Sequence, residues 1–117
     1  MTKHLVLASL VLMVLPLTSV ADQTDVVDRI EQGRVLAFER RKGNCLACHL
    51  IDGGELSGNY GPPLVMMKAR FPDRDILRAQ IWDASIRMPL TRMPPFGRHR
   101  ILSEDEIDLV VDFILTL

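Results

Sequence analysis

Cys45-Leu46-Ala47-Cys48-His49 is the stretch on which the reading of this chain turns. Two thiols three residues apart can add to the two vinyl groups of one porphyrin. A histidine directly after the second thiol can then give an imidazole nitrogen to the iron. C-x-x-C-H is for this reason the attachment signature of c-type haem. The chain has two cysteines, and both lie here. Other readings of C-x-x-C require more than the chain supplies. A thioredoxin-like redox pair sits in a βαβ pattern, and none surrounds this one. A zinc site requires two further ligands, and outside the extreme N-terminus His99 is the one other histidine. The expectation is one covalent haem c, with Cys45 and Cys48 as its thioether anchors and His49 as an iron ligand.

Working outward to the N-terminus, Lys3 and His4 precede an almost wholly apolar run from Leu5 to Leu17. Small residues follow at Ser19 and Ala21, the two positions a signal peptidase reads. The pattern predicts a signal peptide over residues 1–21, cleaved before Asp22. The run is short for a membrane span and is followed at once by Asp22, Gln23 and Asp25. The mature chain is expected to cross no membrane and to be periplasmic, where bacterial c-type haem is attached.

Residues 22–117 form one small domain in this reading, with a modest apolar core of its own. A covalent haem adds a large apolar plate, so the apoprotein is expected to fold poorly. Without Lys3, 13 basic residues (14 in the full chain) face 15 acidic ones. Arg29, Arg34, Arg40, Arg41 and Lys42 crowd the segment before the motif, and Arg87, Arg92, Arg98 and Arg100 the stretch around Met93. Glu104, Asp105, Glu106, Asp108 and Asp112 fill the last segment with no basic residue among them. Basic clusters beside a haem edge can steer a negative partner or pair with propionates; ordinary solvated faces explain single arginines equally well. No basic run is interleaved with aromatics, which argues against nucleic acid.

The periodicity predicts three helices. Thr24 to Lys42, with Thr24 or Asp25 as its cap, carries a partial apolar stripe of Val26, Ile30, Leu36 and Phe38, with Val27 and Ala37 beside it, and Gly43-Asn44 stops it. Gly33 lies inside, where glycine costs roughly 1 kcal/mol of helix stability, and close approach of a second helix is one reason to keep it. Asp73 caps a second helix carrying Ile76, Leu77, Gln80, Ile81 and Ala84. The clearest helix closes the chain. Ser103 and Glu106 form a capping box, acidic residues fill its first turn, and Ile107, Val110, Val111, Ile114 and Leu117 form its apolar face. It is expected to cross the first helix near Gly33.

Two loops carry the remaining candidates. Gly61-Pro62-Pro63-Leu64 offers carbonyls on a rigid backbone, and the Pro62 carbonyl can take the Nδ1 proton of His49; a merely stiff loop is the other reading. Arg87 to Gly97 is too proline-rich for a helix and holds two methionines. A thioether as second axial ligand raises the iron's potential and suits electron transfer. Met93, held by Pro94-Pro95 and followed by Phe96, is the choice; Met88 is next, while Met66 and Met67 read as core fillers. Trp82, the one tryptophan, reads as a core residue whose N–H needs a partner.

Together these features resemble a class I cytochrome c. The finer resemblance is to the SoxX family, the small monohaem subunits of SoxAX complexes in bacterial sulfur oxidation. It rests on Gly43–His49, Gly58–Val65, Ala79–Ala84 and the run Met93-Pro94-Pro95-Phe96-Gly97-Arg98-His99-Arg100-Ile101-Leu102. The likeness spans nearly the whole mature chain. It implies an all-α fold with N- and C-terminal helices crossing and loops wrapping one haem. It implies haem thioethers at Cys45 and Cys48, a proximal ligand at His49 and a distal one at Met93. It also implies a heterodimer with a SoxA-type cytochrome subunit, where thiosulfate is joined oxidatively to a carrier-protein cysteine. The electrons then pass through this chain to another cytochrome. No nucleophile–base pair or carboxylate pair lies beside the motif, so the chain reads as an electron carrier and not a catalyst on its own. The competing reading is a free-standing cytochrome shuttling electrons to a terminal oxidase. A five-coordinate haem catalyst and a non-haem metal or disulfide module are further alternatives.

Overall fold

The computed structural model describes residues 20–117; the expected leader falls almost wholly outside them. Among the described residues there are helices and turns but no strand, so the fold is all-α, as expected. Four α-helices follow in order: α1 (Val20–Phe38), α2 (Met67–Arg70), α3 (Arg74–Trp82) and α4 (Glu104–Ile114). Short 3-10 turns cover Cys45–Ala47 and Ala84–Ile86. No described helix is long and apolar enough to cross a membrane.

The first and last helices pack on each other, and Gly33 is the reason they can. A Cβ built there would stand 2.0 Å from the Leu109 carbonyl oxygen and 2.9 Å from the Phe113 Cβ. A hydrogen in place of a methyl lets the two backbones touch, at the crossing that the glycine predicts. Around that point Ala37, Ile107, Val110, Val111, Phe113 and Ile114 are buried, and Phe38 sets its ring edge-on to Phe113 with centroids 5.8 Å apart. Leu77 and Ile81 bring α3 onto the same core.

The caps predicted for the second and last helices are present, while Thr24 and Asp25 lie inside the first helix and do not cap it. Asp73 accepts from the Asp75 N–H at 2.9 Å. Ser103 accepts from the Glu106 N–H while the Glu106 carboxylate accepts from the Ser103 N–H.

The first helix differs from expectation at both ends. It begins at Val20, and it stops at Phe38 rather than Lys42. The charged run Glu39-Arg40-Arg41-Lys42 has no buried face to extend. The chain instead turns back, with the Gly43 N–H donating to the Leu36 carbonyl (3.0 Å) and Asn44 taking the left-handed conformation at φ 47°. Val26 and Val27 are exposed rather than part of the apolar stripe, because the packed part of α1 begins at Ile30. The four-residue α2 is too short to leave a periodic signature. Its Met67 is buried and donates its N–H to the Leu117 carbonyl at 2.8 Å.

The acidic last segment acquires its counterions from α1, α3 and the turn after α1. Arg29 pairs with Asp112 (2.7 Å), Lys42 with Glu106 (2.6 Å), and Arg74 with both Asp108 (3.0 Å) and Asp112 (2.8 Å). Arg78 pairs with Asp108 (2.9 Å) and with Glu104. Arg78 is the main reason the Asp108 and Glu104 carboxyls lie below their ordinary range; Arg74 also acts on Asp108, and Trp82 on Glu104. Lys42 does the same for Glu106. Several of the basic residues before the motif are thus engaged inside the molecule.

Candidate haem site

The end of α1 delivers the chain into the motif. Cys45–Ala47 forms a single tight turn, with the His49 N–H donating to the Cys45 carbonyl at 2.9 Å. Both cysteines are free thiols and half-buried. Burial pushes the Cys45 thiol up to about 11. A redox-active C-x-x-C works by a lowered thiol, so the environment is the opposite of what a disulfide exchanger needs. Among the described residues no three His, Cys, Asp or Glu side chains gather as a metal cage, which leaves a structural zinc without a donor set.

The Gly-Pro-Pro-Leu loop is laid along the motif by three backbone bonds: Gly58 N–H to Leu46 (2.7 Å), Gly61 N–H to Cys48 (2.7 Å) and Leu64 N–H to Leu50 (2.9 Å). Arg70 reaches back from α2 to the Pro63 carbonyl at 2.9 Å and fixes the far side of the loop. This brings the Pro62 carbonyl to 2.7 Å from Nδ1 of His49. A carbonyl can only accept, so Nδ1 carries the proton and Nε2 keeps its lone pair. Gly61 lies flat on the imidazole: a Cβ there would stand 2.4 Å from Cε1 and 2.6 Å from Nδ1. Ring orientation and tautomer are both set by the loop.

The methionine loop is seated on the end of α3. The Gly97 N–H donates to the Trp82 carbonyl at 3.0 Å, and Arg98 pairs with the buried Asp83 at 3.1 Å. Asp83 also accepts from the Ser85 N–H and hydroxyl, which together with Arg98 hold its carboxyl below the ordinary range. Phe96 is buried in the core. Trp82 is only half-buried, and its indole N–H donates to the Glu104 carboxylate at 3.0 Å, a partner sequence reasoning did not name.

The four candidate methionines fall into different environments. Met93 is half-buried and packs on the same apolar cluster as Cys45, Leu46 and Leu64, and its N–H donates to the Thr91 hydroxyl at 3.2 Å. Met88 is 59% exposed and Met66 71% exposed. Met67 is a core residue whose sulfur accepts from Arg70.

The residues suit a covalently held haem. Two thiols are spaced for one porphyrin, a histidine presents a free Nε2, and a thioether sits on a loop in contact with the same apolar cluster. Apolar side chains also remain uncovered on the segments either side: Leu50, Leu56, Tyr60, Val65 and Met66 on one, Ile86, Met88 and Leu90 on the other. The Ser57 hydroxyl, beside the backbone bonds that hold the motif, is buried without a hydrogen-bond partner. An unsatisfied buried donor is costly on its own.

A family model described as "Cytochrome C oxidase, cbb3-type, subunit III" matches residues 28–114. A protein of Aquifex aeolicus (strain VF5) described as "Uncharacterized lipoprotein" is 32% identical over 75 residues, covering 63% of this chain and 36% of its own length. The chain therefore spans about a third of the length of that relative.

Proposed function

The chain belongs to the cbb3-type cytochrome c oxidase subunit III family, a class I cytochrome c family, and we propose that it is the electron-transfer subunit of a periplasmic thiosulfate-oxidising complex of the SoxAX type. Family membership makes it a cytochrome c domain that carries haem c and transfers electrons. The rest is our reading.

One haem is held, by thioether bonds from Cys45 and Cys48. It supplies one-electron iron chemistry when bound. His49 would give its Nε2 to the iron, with the tautomer held by the Pro62 carbonyl, and Met93 would give its thioether. With both side chains committed to the iron, the chain would carry electrons, and the sulfur chemistry would belong to a SoxA-type partner subunit. The export signal over residues 1–21 brings the chain to the periplasm, and another cytochrome takes the electrons onward.

The observation that carries the electron-carrier reading is the 2.7 Å approach of His49 Nδ1 to the Pro62 carbonyl. It builds a strong, oriented axial ligand of the kind an electron carrier needs. The thiosulfate assignment is supported by the Met93–Leu102 run. The matched family's description favours a second reading, a free-standing shuttle that feeds a terminal oxidase.

A native pull-down of the haem-loaded protein from thiosulfate-grown host cells separates the two. A stoichiometric c-type cytochrome partner supports the complex. A clean monomer at both low and moderate salt supports the shuttle.

A further inference from the structure

The two loops that carry the proposed axial ligands are far apart in sequence. Among the described residues no backbone hydrogen bond joins segment 50–66 to segment 86–100. A pair of side chains does join them. The Arg92 guanidinium lies over the Tyr60 ring, 5.6 Å from its centroid, within the range of a cation–π contact. Each residue neighbours a group that matters. Tyr60 precedes Gly61, which lies against the His49 ring. Arg92 precedes Met93. The Tyr60 ring is the chain's one tyrosine and is 66% exposed, so it contributes little to the core.

From this juxtaposition we infer that Arg92 and Tyr60 form a latch across the mouth of the haem crevice, holding the Met93 loop shut against the loop that orients His49. The inference rests on the reading that Met93 is the second axial ligand. The two are positioning residues: neither touches the iron, and both act by setting how often the methionine loop swings away. The interaction uses the face of the ring and the charge of the guanidinium. The phenol hydroxyl is not part of it. An exposed cation–π contact shifts such an opening equilibrium about two- to five-fold.

The test is the rate at which imidazole binds the ferric, haem-loaded protein, since imidazole enters as the methionine leaves. Tyr60→Leu and Arg92→Gln are each expected to speed binding by about two- to five-fold. Tyr60→Phe, which keeps the ring face, is expected to bind at the wild-type rate. The double variant Tyr60→Leu/Arg92→Gln should be no faster than either single one, because one contact is lost once. Thermal midpoints are measured alongside; the variants should lower them by no more than the few degrees that the loss of one such contact allows, whereas loosened folding lowers them further. The latch is overturned if the single variants keep the wild-type rate, if Tyr60→Phe is as fast as Tyr60→Leu, or if the two effects multiply. Met93→Ala is the control that keeps the two failures distinct. It must accelerate binding far beyond any latch variant. If it does not, the axial assignment itself fails and the latch falls with it.

Discussion

The Pro62 carbonyl stands 2.7 Å from Nδ1 of His49, on a loop whose preceding residue, Gly61, lies flat against the same imidazole. An acceptor at Nδ1 makes the ring a stronger donor at Nε2 and favours the more oxidised iron. A Gly61→Ala variant puts a Cβ 2.4 Å from Cε1. Either the ring or the loop must then move, and the hydrogen bond lengthens. The reduction potential of the haem-loaded variant is therefore expected to rise, with haem attachment through Cys45 and Cys48 retained. A redox titration checks this; an unchanged potential would mean that the Pro62 contact does not tune the ligand.

Gly33→Ala tests the helix crossing. The new methyl would overlap the Leu109 carbonyl, which is backbone and has little room to move. A solvent-exposed helical glycine would gain stability on this change. Here overpacking is expected to win, with a loss of about 1–3 kcal/mol in denaturant unfolding of the holoprotein. A stabilised variant would show that α1 and α4 do not meet at this point.

The carboxyls of α4 predict the acid response. Asp108 is held below its ordinary value chiefly by Arg78 and then by Arg74, so its folded pKa lies below its unfolded one. Such a group contributes stability that is fully present above the unfolded value, near about 4, and lost as the pH falls through the folded one. Asp108→Asn should thus be less stable than the parent at pH 7, with the gap closing as the pH drops below about 4. A gap that stays constant to pH 2 would show that these ion pairs do not link stability to protonation.

The elements most legible in the sequence were those written locally. The Ser103–Glu106 box, the Asp73 cap and the glycine at the crossing are each decided within a few residues, and the structure has all three. What escaped was decided at long range. The pairing of Arg29 with Asp112 links positions 83 apart, and Trp82 finds Glu104 only because α3 and α4 are packed together. The end of α1 is set by burial, which local propensity does not announce: the charged run 39–42 has no buried face to extend, and the Gly43 N–H bonds back to the Leu36 carbonyl. At the candidate site, spacing alone brought Cys45, Cys48 and His49 into one turn. The loop that presents Pro62 to His49 depends on two backbone bonds to the motif and a third to Leu50 just after it, and these appear only in the fold.

Whether His49 and Met93 hold the haem between them can be read from the far-red absorption of the ferric protein. Methionine bound to ferric haem iron gives a weak charge-transfer band there. The band is expected to be present in the parent, absent in Met93→Ala and kept in Met88→Ala, a residue already 59% exposed. A band that survives Met93→Ala, or that disappears with Met88→Ala, would contradict this ligand pair.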